Sequence, residues 1–489
     1  MTAAVTPQKA SLSEVKRKLL EKYARGERAN GPTFSPAIDQ RPAGEPIPLS
    51  RFQEEIWLDA KDGEKVGSFY NESTTIHRFG DLNREAMECA FTEIIKRHEA
   101  WRSTFDTVDG RPIQVIRPAP SRVPIPHVDL RTVPESSRWV EAVRIATEDT
   151  LPPFDLREGP LVRAILITLD EQRHSLFVTM HQSITDGVSV YQILPSELST
   201  LYSRYSGGDH QDLPDLPLQF ADLAYWERSK TQQAMLDDDL AFWRRQLMGN
   251  IPQLGWPCGN TRIADRSRRG AIQAFTVPED LCDALVSTSK REGVTLFMTL
   301  LAGFIVLLHD YTRQEDIVTG TVAPAGRKRS EAGPLLGYFL NPVALRVDVS
   351  GDPTVGEVLH RCRQVTFEAL SHDNLPLGYL RRHLWAQPSP TGMWPFNTAI
   401  TLAPPSPILP EGWSQTSMDC DGGWAKWDLY LEFAQRAGGL IGRIQYQTDL
   451  FTPVIISRLI EDLEKVLGQI TLDSSQRISG LRHISSKRL

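Results

Sequence analysis

Hydrophobic and polar positions along the chain follow two different periods, which predicts a mixture of helices and strands. Apolar residues spaced three or four apart are typical of a buried helix face, whereas short continuous apolar runs are typical of buried strands. In the first half this pattern predicts a helix over Arg84 to His98, with strands over Leu161 to Leu169 and Ser175 to Met180. Both element types are therefore expected before residue 200.

The same mixture returns after about residue 270. In chain order, the pattern predicts a strand at Ala271 to Val277, helices at Pro278 to Glu292 and Leu296 to Leu308, strands at Ile317 to Val322 and Val343 to Val349, the end of a helix at Thr366 to Leu370, a hairpin of Leu429 to Phe433 with Leu440 to Tyr446, and a last helix at Pro453 to Ile470. Two lobes of mixed helix and strand follow from this repetition.

The N-terminal region has a different pattern. Ser11 and Glu14 form a capping box before a short apolar stripe, which predicts an amphipathic helix ending near Gly26. Glycine and proline then interrupt the chain as far as Pro48, as in a linker. The helix either packs on the main body or docks a partner. We predict an N-terminal helix and linker over residues 1–47, a first lobe over 48–205 and a second over 206–489.

Composition narrows the class of protein. The 489 residues are 40% hydrophobic and 24% charged, as in ordinary packed proteins. Lysine plus arginine minus acidic residues gives 54 − 61 = −7, which argues against nucleic acids and anionic membranes as partners. The apolar run Leu296 to Leu308 is too short to cross a bilayer. Small molecules and proteins are the expected partners.

The five cysteines are an odd number with scattered positions: Cys89, Cys258, Cys282, Cys362 and Cys420. This spacing predicts neither a disulfide scaffold nor a metal site. The first ten residues lack the apolar stretch of a signal peptide. Together these features predict a reducing, cytoplasmic setting.

One local segment could carry chemistry. The apolar strand Leu176 to Met180 runs into the polar turn His181-Gln182-Ser183-Ile184-Thr185-Asp186-Gly187 and then into a helix. Backbone N–H groups at a helix start can stabilise a developing oxyanion, and glycine allows close approach of a ligand. A His beside an Asp is, however, more often a satisfied buried pair than a catalyst.

The rest of the chain favours the chemical interpretation. The turn resembles the H-H-x-x-x-D-G motif of the condensation-domain superfamily, which includes the peptide-bond-forming domains of nonribosomal peptide synthetases and chloramphenicol-acetyltransferase-like acyltransferases. The similarity extends in order from Pro48 to about Ile470. Its other motifs resemble Leu49 to Trp57, Arg97 to Phe105, Gly159 to Ala164, Phe220 to Trp226, Gly320 to Arg327, Gly337 to Arg346, His372 to Leu377, Lys426 to Leu429 and Tyr446 to Phe451.

The resemblance implies an α/β (α+β) fold of two chloramphenicol-acetyltransferase-like lobes, arranged as a V-shaped pseudo-dimer with a central tunnel. It implies no bound cofactor and no metal. Substrates would arrive on the phosphopantetheine arm of carrier proteins on other chains, or the donor on coenzyme A, and an amine or hydroxyl would attack the acyl thioester. The chain is then expected to be a free-standing monomer, supplied with a small-molecule acyl donor and acceptor made elsewhere.

The same resemblance implies roles for particular residues. His181, Gln182, Asp186 and Gly187 would form the catalytic turn, with Asp186 in a salt bridge to Arg346 and the Gly187 amide near the thioester carbonyl. Arg102 would support the site, and the tunnel would be lined by Ser189, Tyr338 and Asn341. Two basic runs, Arg262 to Arg269 and Arg327 to Arg329, are interpreted as solvated loops, with contact to a phosphopantetheine phosphate or an acidic carrier as the alternative.

Gln182 occupies the position of the second histidine of the motif. A carboxamide cannot accept a proton near pH 7, so general-base catalysis by residue 182 is excluded. The first hypothesis is an enzyme that forms amides, with Gln182 orienting a free amine. The second is a non-catalytic platform that binds a carrier protein or recruits a tailoring enzyme. A third is that Gln182 is an engineered substitution.

Overall fold

A computed structural model describes residues 38–61, 68–208, 212–228, 233–249, 251–256, 267–384, 395–417, 420–436 and 439–481. The predicted N-terminal helix and most of the basic run Arg262 to Arg269 lie outside these residues. The described chain is a mixed α/β fold, as the sequence predicted.

The strands are β1 (Ile47–Pro48), β2 (Asn71–Phe79), β3 (Ser103–Val108), β4 (Arg111–Ile116), β5 (His127–Asp129), β6 (Val162–Thr168), β7 (Arg173–His181), β8 (Gly270–Val277), β9 (Asp316–Ala323), β10 (Asn341–Asp348), β11 (Thr398–Leu402), β12 (Trp413–Ser417), β13 (Leu429–Arg436) and β14 (Gly439–Gln447). The helices are α1 (Arg51–Lys61), α2 (Arg84–Arg97), α3 (Glu135–Thr150), α4 (Leu194–Tyr205), α5 (Phe220–Glu227), α6 (Gln233–Leu247), α7 (Glu279–Arg291), α8 (Leu296–Thr312), α9 (Val355–Ser371), α10 (Leu377–Leu384) and α11 (Pro453–Leu472).

Two large sheets organise these elements. The first sheet has the order β12-β2-β7-β6-β5 and the second has the order β10-β9-β11-β13-β14-β8, while β1, β4 and β3 form a small third sheet. In the second sheet β11 runs parallel to both of its neighbours, β9 and β13. The other adjacent strands of this sheet pair antiparallel. Apart from β12, each large sheet therefore draws on one of the two regions in which the sequence predicted mixed helix and strand.

One strand crosses between the two halves of the chain. β12, from the C-terminal half, pairs antiparallel with β2 at the edge of the first sheet, with Gln415 opposite Ile76. Its side chains reinforce the pairing, because Gln415 Nε2 donates to the carbonyl of Val190 at 2.8 Å and Trp413 packs edge-on against Tyr202. The strand fastens the second half of the chain to the elements that follow the predicted catalytic turn.

Each large sheet has its own apolar core. In the second, α8 is buried continuously from Met298 to Leu308 and packs against α9 and α11. Gly303 permits this approach, since a Cβ there would lie 2.4 Å from Leu467 Cδ2. The core of the first sheet also takes in Phe220 and Phe339, which follow the predicted lobe boundary at residue 206. That boundary stays a prediction.

The predicted elements from Arg84 to Ile470 are confirmed with ends shifted by a few residues. Strands β1 to β5, β11 and β12 were not predicted. Within the described residues, no individual helix has the length and apolar character needed to span a membrane. Only α7 and α8 together have that length and apolar character, and the pair is sharply bent between the two helices.

Candidate functional site

A cavity of about 1280 Å³ lies between the two large sheets. Its wall includes Glu72, Gln182 and Gly187 from the first half of the chain, and Thr321 and Tyr430 from the second. The predicted catalytic turn therefore opens onto a partly open cavity large enough for an organic substrate, which is the usual setting of a small-molecule site.

His181 ends β7 and is buried beneath the cavity wall, with 3% of its surface exposed. The Ser183 N–H donates to His181 Nδ1 at 3.3 Å, and Ser183 Oγ lies 2.7 Å from the same nitrogen. Burial lowers the pKa of His181 to about 3, so the imidazole is neutral near pH 7. His181 is placed to hold the turn in shape.

Gln182 lines the cavity, as do Thr185, Asp186 and Gly187 of the same turn. Its backbone N–H donates to the Tyr70 carbonyl at 2.7 Å, which continues the β2–β7 pairing by one residue and fixes the direction of the side chain. In the described part of the chain, no side chain or backbone group hydrogen-bonds the Gln182 carboxamide. The carboxamide is thus available to both donate to and accept from a ligand.

Asp186 caps the helix that begins at Gly187. The Ser189 N–H and Oγ–H donate to Asp186 Oδ1 at 2.8 and 2.7 Å, and a turn of π-helix over Ser189–Ile193 leads into α4. Gly187 lies on the cavity wall, where an added Cβ would meet Pro404 Cδ at 3.3 Å. A glycine here keeps the first backbone amides of the helix accessible from the cavity.

The expected salt bridge between Asp186 and Arg346 is wrong. Asp186 pairs with Arg327, whose Nε and Nη2 lie 2.6 and 2.8 Å from the two carboxylate oxygens. The pair is almost fully buried, and Arg327 Nη2 also donates to Ser189 Oγ at 2.9 Å. Arg346 instead pairs with Asp316, 2.6 Å away on the neighbouring strand. Arg327 follows β9 and Arg346 lies in β10. The sequence alone does not show which of the two arginines approaches Asp186.

The interpretation of Arg327 to Arg329 as a solvated loop is wrong for Arg327 and Arg329, whereas the Lys328 side chain is exposed. Arg327 is buried in its ion pair, Lys328 pairs with Asp373, and the Arg329 guanidinium lies 4.9 Å from the Trp226 ring. All three residues lie on the cavity wall. A charge run that neutralises buried carboxylates on a cavity wall cannot be told from a surface run by sequence alone.

The remaining predicted site residues are spread through the structure. Tyr338 lines the cavity as expected, and burial raises the pKa of its phenol. Ser189 is fully buried between Asp186 and Gly337 and is not on the wall. Asn341 is likewise buried behind the wall, donating to the Asp373 and Leu375 carbonyls. The prediction that Ser189 lines the tunnel is therefore wrong, whereas Asn341 lines a smaller pocket that shares Tyr338, Leu340 and Lys426 with this cavity.

Arg102 lies away from the catalytic turn. Its Nη1 donates to the Arg117 carbonyl at 2.7 Å, and its Nη2 lies 3.6 Å from Glu99. These contacts tie the β3–β4 hairpin to the end of α2. No contact between Arg102 and His181 or Asp186 is present among the described residues. Arg102 therefore does not support the catalytic turn by direct contact.

Sequence reasoning missed a cluster of charged side chains on the cavity wall. Glu72, Lys426 and Glu432 line the cavity, and Glu432 pairs with Arg443 at 3.0 Å behind it. Burial, reinforced by the charge of Glu432, raises the pKa of Glu72 to about 7, and burial lowers the pKa of Lys426 to about 8. A glutamate inside the β-branched run of β2 was the available signal, but β2 itself was not predicted.

Across the described residues, His, Cys, Asp and Glu side chains nowhere gather in threes close enough to hold a metal ion. The polar groups on the cavity wall include amide, carboxyl, amine, guanidinium, hydroxyl and phenol groups. These can bind, orient and exchange protons with an organic substrate.

Comparison with known proteins finds a matching family model and similar sequences. The family model described as "Condensation domain" matches residues 44–488. The chain is 34% identical to a linear gramicidin synthase from Brevibacillus parabrevis over 99% of its length, and 33% identical to phosphinothricin tripeptide synthetase PhsC from Streptomyces viridochromogenes over 96%. It spans only 6% and 43% of these two relatives.

Among solved structures, the chain is similar to the X-domain in the complex of the X-domain and OxyB from teicoplanin biosynthesis. The two share 26% identity and a TM-score of 0.77, over 94% of this chain and 100% of the X-domain chain. The similarity therefore spans both large sheets and the cavity between them.

Proposed function

The chain belongs to the condensation-domain family, and we propose that it joins a thioester-bound acyl group to an amine inside the cavity, forming an amide. A carrier protein on another chain would present the donor on its phosphopantetheine arm, with coenzyme A as the alternative carrier. The relatives include a linear gramicidin synthase and a phosphinothricin tripeptide synthetase, which supports a role of the chain in nonribosomal peptide biosynthesis.

One observation carries the proposal: the Gln182 carboxamide faces the cavity beside Gly187, whereas His181 is buried behind it. A carboxamide oxygen can accept a hydrogen bond from an amine and aim its lone pair at a thioester carbonyl. Holding two reactants in this way can supply a large part of a rate enhancement without any proton transfer. Gly187 lines the same space, and a backbone amide at this position can stabilise the carbonyl oxygen as it becomes negative.

Variants at residue 182 test the proposal. Gln182→Leu keeps the size of the side chain and removes its hydrogen bond, which is worth about 0.5–1.5 kcal/mol, so we expect roughly a 2- to 13-fold lower kcat. Gln182→His should also lower the rate, because the imidazole does not reproduce the carboxamide contact. Product formation from an acyl-pantetheine donor and an amine, followed by mass spectrometry, measures both.

A second function is favoured by the similarity to the X-domain. That structure holds the domain together with a second protein, OxyB. If the present chain is likewise a platform for a partner protein, the parent should form no amide and Gln182→His should create activity that the parent lacks. This outcome is the reverse of the one expected for an amide-forming enzyme.

A further inference from the structure

Glu72 lies next to Gln182 on the same side of the first sheet. In the β2–β7 register Glu72 is opposite Met180, and Tyr70 is opposite Gln182 through the 2.7 Å backbone hydrogen bond. Glu72 and Gln182 are thus diagonal neighbours, which are typically about 7–8 Å apart, with their Cβ atoms somewhat closer. Both side chains line the cavity, so one small group can contact both.

The Glu72 carboxyl has no hydrogen-bond donor in the part of the chain that the structure describes. No side chain or backbone N–H among those residues hydrogen-bonds it, and Glu432, the other acidic residue of the cluster, is already paired with Arg443. A partly buried carboxylate without a hydrogen-bond donor is less well stabilised than one in water, and its affinity for a proton or an external cation rises accordingly. The arrangement suits a ligand that brings an ammonium group.

Several charged or titratable groups surround Glu72 from the elements packed around it. Glu432 and Tyr430 come from β13, Arg443 from β14, Tyr191 from the π-turn before α4, and Lys426 from the loop before β13. Glu432 favours the protonated carboxyl, while Lys426 and Arg443 favour the carboxylate. Burial outweighs both, leaving the pKa of Glu72 at about 7, where a general base is most effective near neutral pH.

We infer that Glu72 receives the ammonium group of the acceptor and takes its proton, the step that Gln182 cannot perform. The inference rests on the proposed amide formation. The ammonium gives one proton to the Glu72 carboxylate, and the neutral nitrogen then attacks the thioester carbon. As the new C–N bond forms and the C–S bond breaks, the leaving thiolate takes the second N–H proton, and Glu72 returns its proton to water.

The pH dependence of kcat/KM distinguishes a reaction in which Glu72 acts as the base from one in which it does not. The assay uses an alkylamine acceptor with a pKa of about 10, which stays largely an ammonium ion below a pH of about 8.5. In the parent, kcat/KM should rise about tenfold per pH unit up to about 7 and then level off, because only the Glu72 carboxylate can react with the ammonium. In Glu72→Gln it should be about 10²- to 10⁴-fold lower at about pH 7 and keep rising with the neutral amine.

Glu171→Gln is the matched control, since it makes the same change at an exposed residue whose only described ion pair is with Arg131. It should keep the parent's rate and plateau. Circular dichroism and urea unfolding establish that Glu72→Gln is folded. A plateau near pH 7 that persists in folded Glu72→Gln, at an undiminished rate, would overturn the inference while leaving amide formation intact.

A binding measurement separates the amine site from turnover. Calorimetric titration of hexylamine at pH 7, repeated in buffers of different ionisation enthalpy, counts the protons exchanged. Binding to the parent should release about half a proton, because Glu72 is half protonated at that pH and must ionise to hold the cation. Equal proton release by Glu72→Gln, or no binding to the parent, would overturn the site. Proton-linked binding without amide product would instead overturn the proposed function.

Discussion

The Asp186–Arg327 ion pair should hold a large share of the stability of the fold around the site. Arg327 contacts both carboxylate oxygens of Asp186, donates to the Ala332 and Leu335 carbonyls at 2.7 and 2.9 Å, and lies 4.2 Å from the Phe339 ring. Arg327→Met keeps most of the volume and leaves the carboxylate buried without its cation. Breaking a buried pair on one side costs about 3–5 kcal/mol, so we expect a loss of that size in the free energy of unfolding.

Arg346→Met provides the matched control, because Arg346 also binds a carboxylate but its pair with Asp316 is 27% and 42% exposed. Partly exposed pairs contribute about 0–1 kcal/mol, and we expect a loss within that range. Urea unfolding followed by tryptophan fluorescence measures both variants. In a double-mutant cycle, Asp186→Ala and Arg327→Met should be coupled by more than about 1 kcal/mol.

Equal losses for Arg327→Met and Arg346→Met would refute this reasoning, and so would additive effects of Asp186→Ala and Arg327→Met. Either result would mean that the burial of the pair does not determine its contribution. A large loss of stability for Arg346→Met alone would instead favour the Asp186–Arg346 salt bridge that the family resemblance implied.

Two further variants probe the turn. Gly187→Ala should lower kcat several-fold with little change in overall fold, since the added methyl would lie 3.3 Å from Pro404 and displace the amide from the carbonyl oxygen; a parent-like rate in the acyl-transfer assay would speak against that role. The pKa of His181 is about 3 when folded and about 6.5 when unfolded, so its contribution to stability is complete above pH 6.5 and declines as the pH falls towards 3. His181→Asn should therefore lose about 1.4 kcal/mol less than the parent between pH 7.5 and 5.5, measured by urea unfolding at both pH values; identical losses would contradict a buried neutral imidazole.

The long periodic elements were predictable from the sequence because their apolar residues repeat over many positions. α8 is an example: it is buried on every side from Met298 to Leu308, and its unbroken apolar run signals that directly. β2 was missed because its nine residues mix Glu72, Ser73, His77 and Arg78 with few aliphatic side chains. Burial there depends on β7 and β12, which are distant in sequence, and no local pattern records those partners.

The site residues, like the elements of the fold, were predictable where the signal is local and were missed where it depends on distant contacts. The turn from His181 to Gly187 was found because its chemistry lies within one short segment. The partner of Asp186 was assigned wrongly because the choice between Arg327 and Arg346 depends on how the chain turns back after β9. Glu72 contributes to the site only through the strand register that brings it beside Gln182.

Intact-mass analysis of an acylated carrier protein, incubated with the chain and an amine, tests amide formation most directly. We predict that the carrier loses its acyl group only when both the chain and the amine are present, and that the matching amide appears faster than in the uncatalysed reaction. An acyl-carrier mass that stays unchanged across several matched donor and amine pairs would contradict the proposed function.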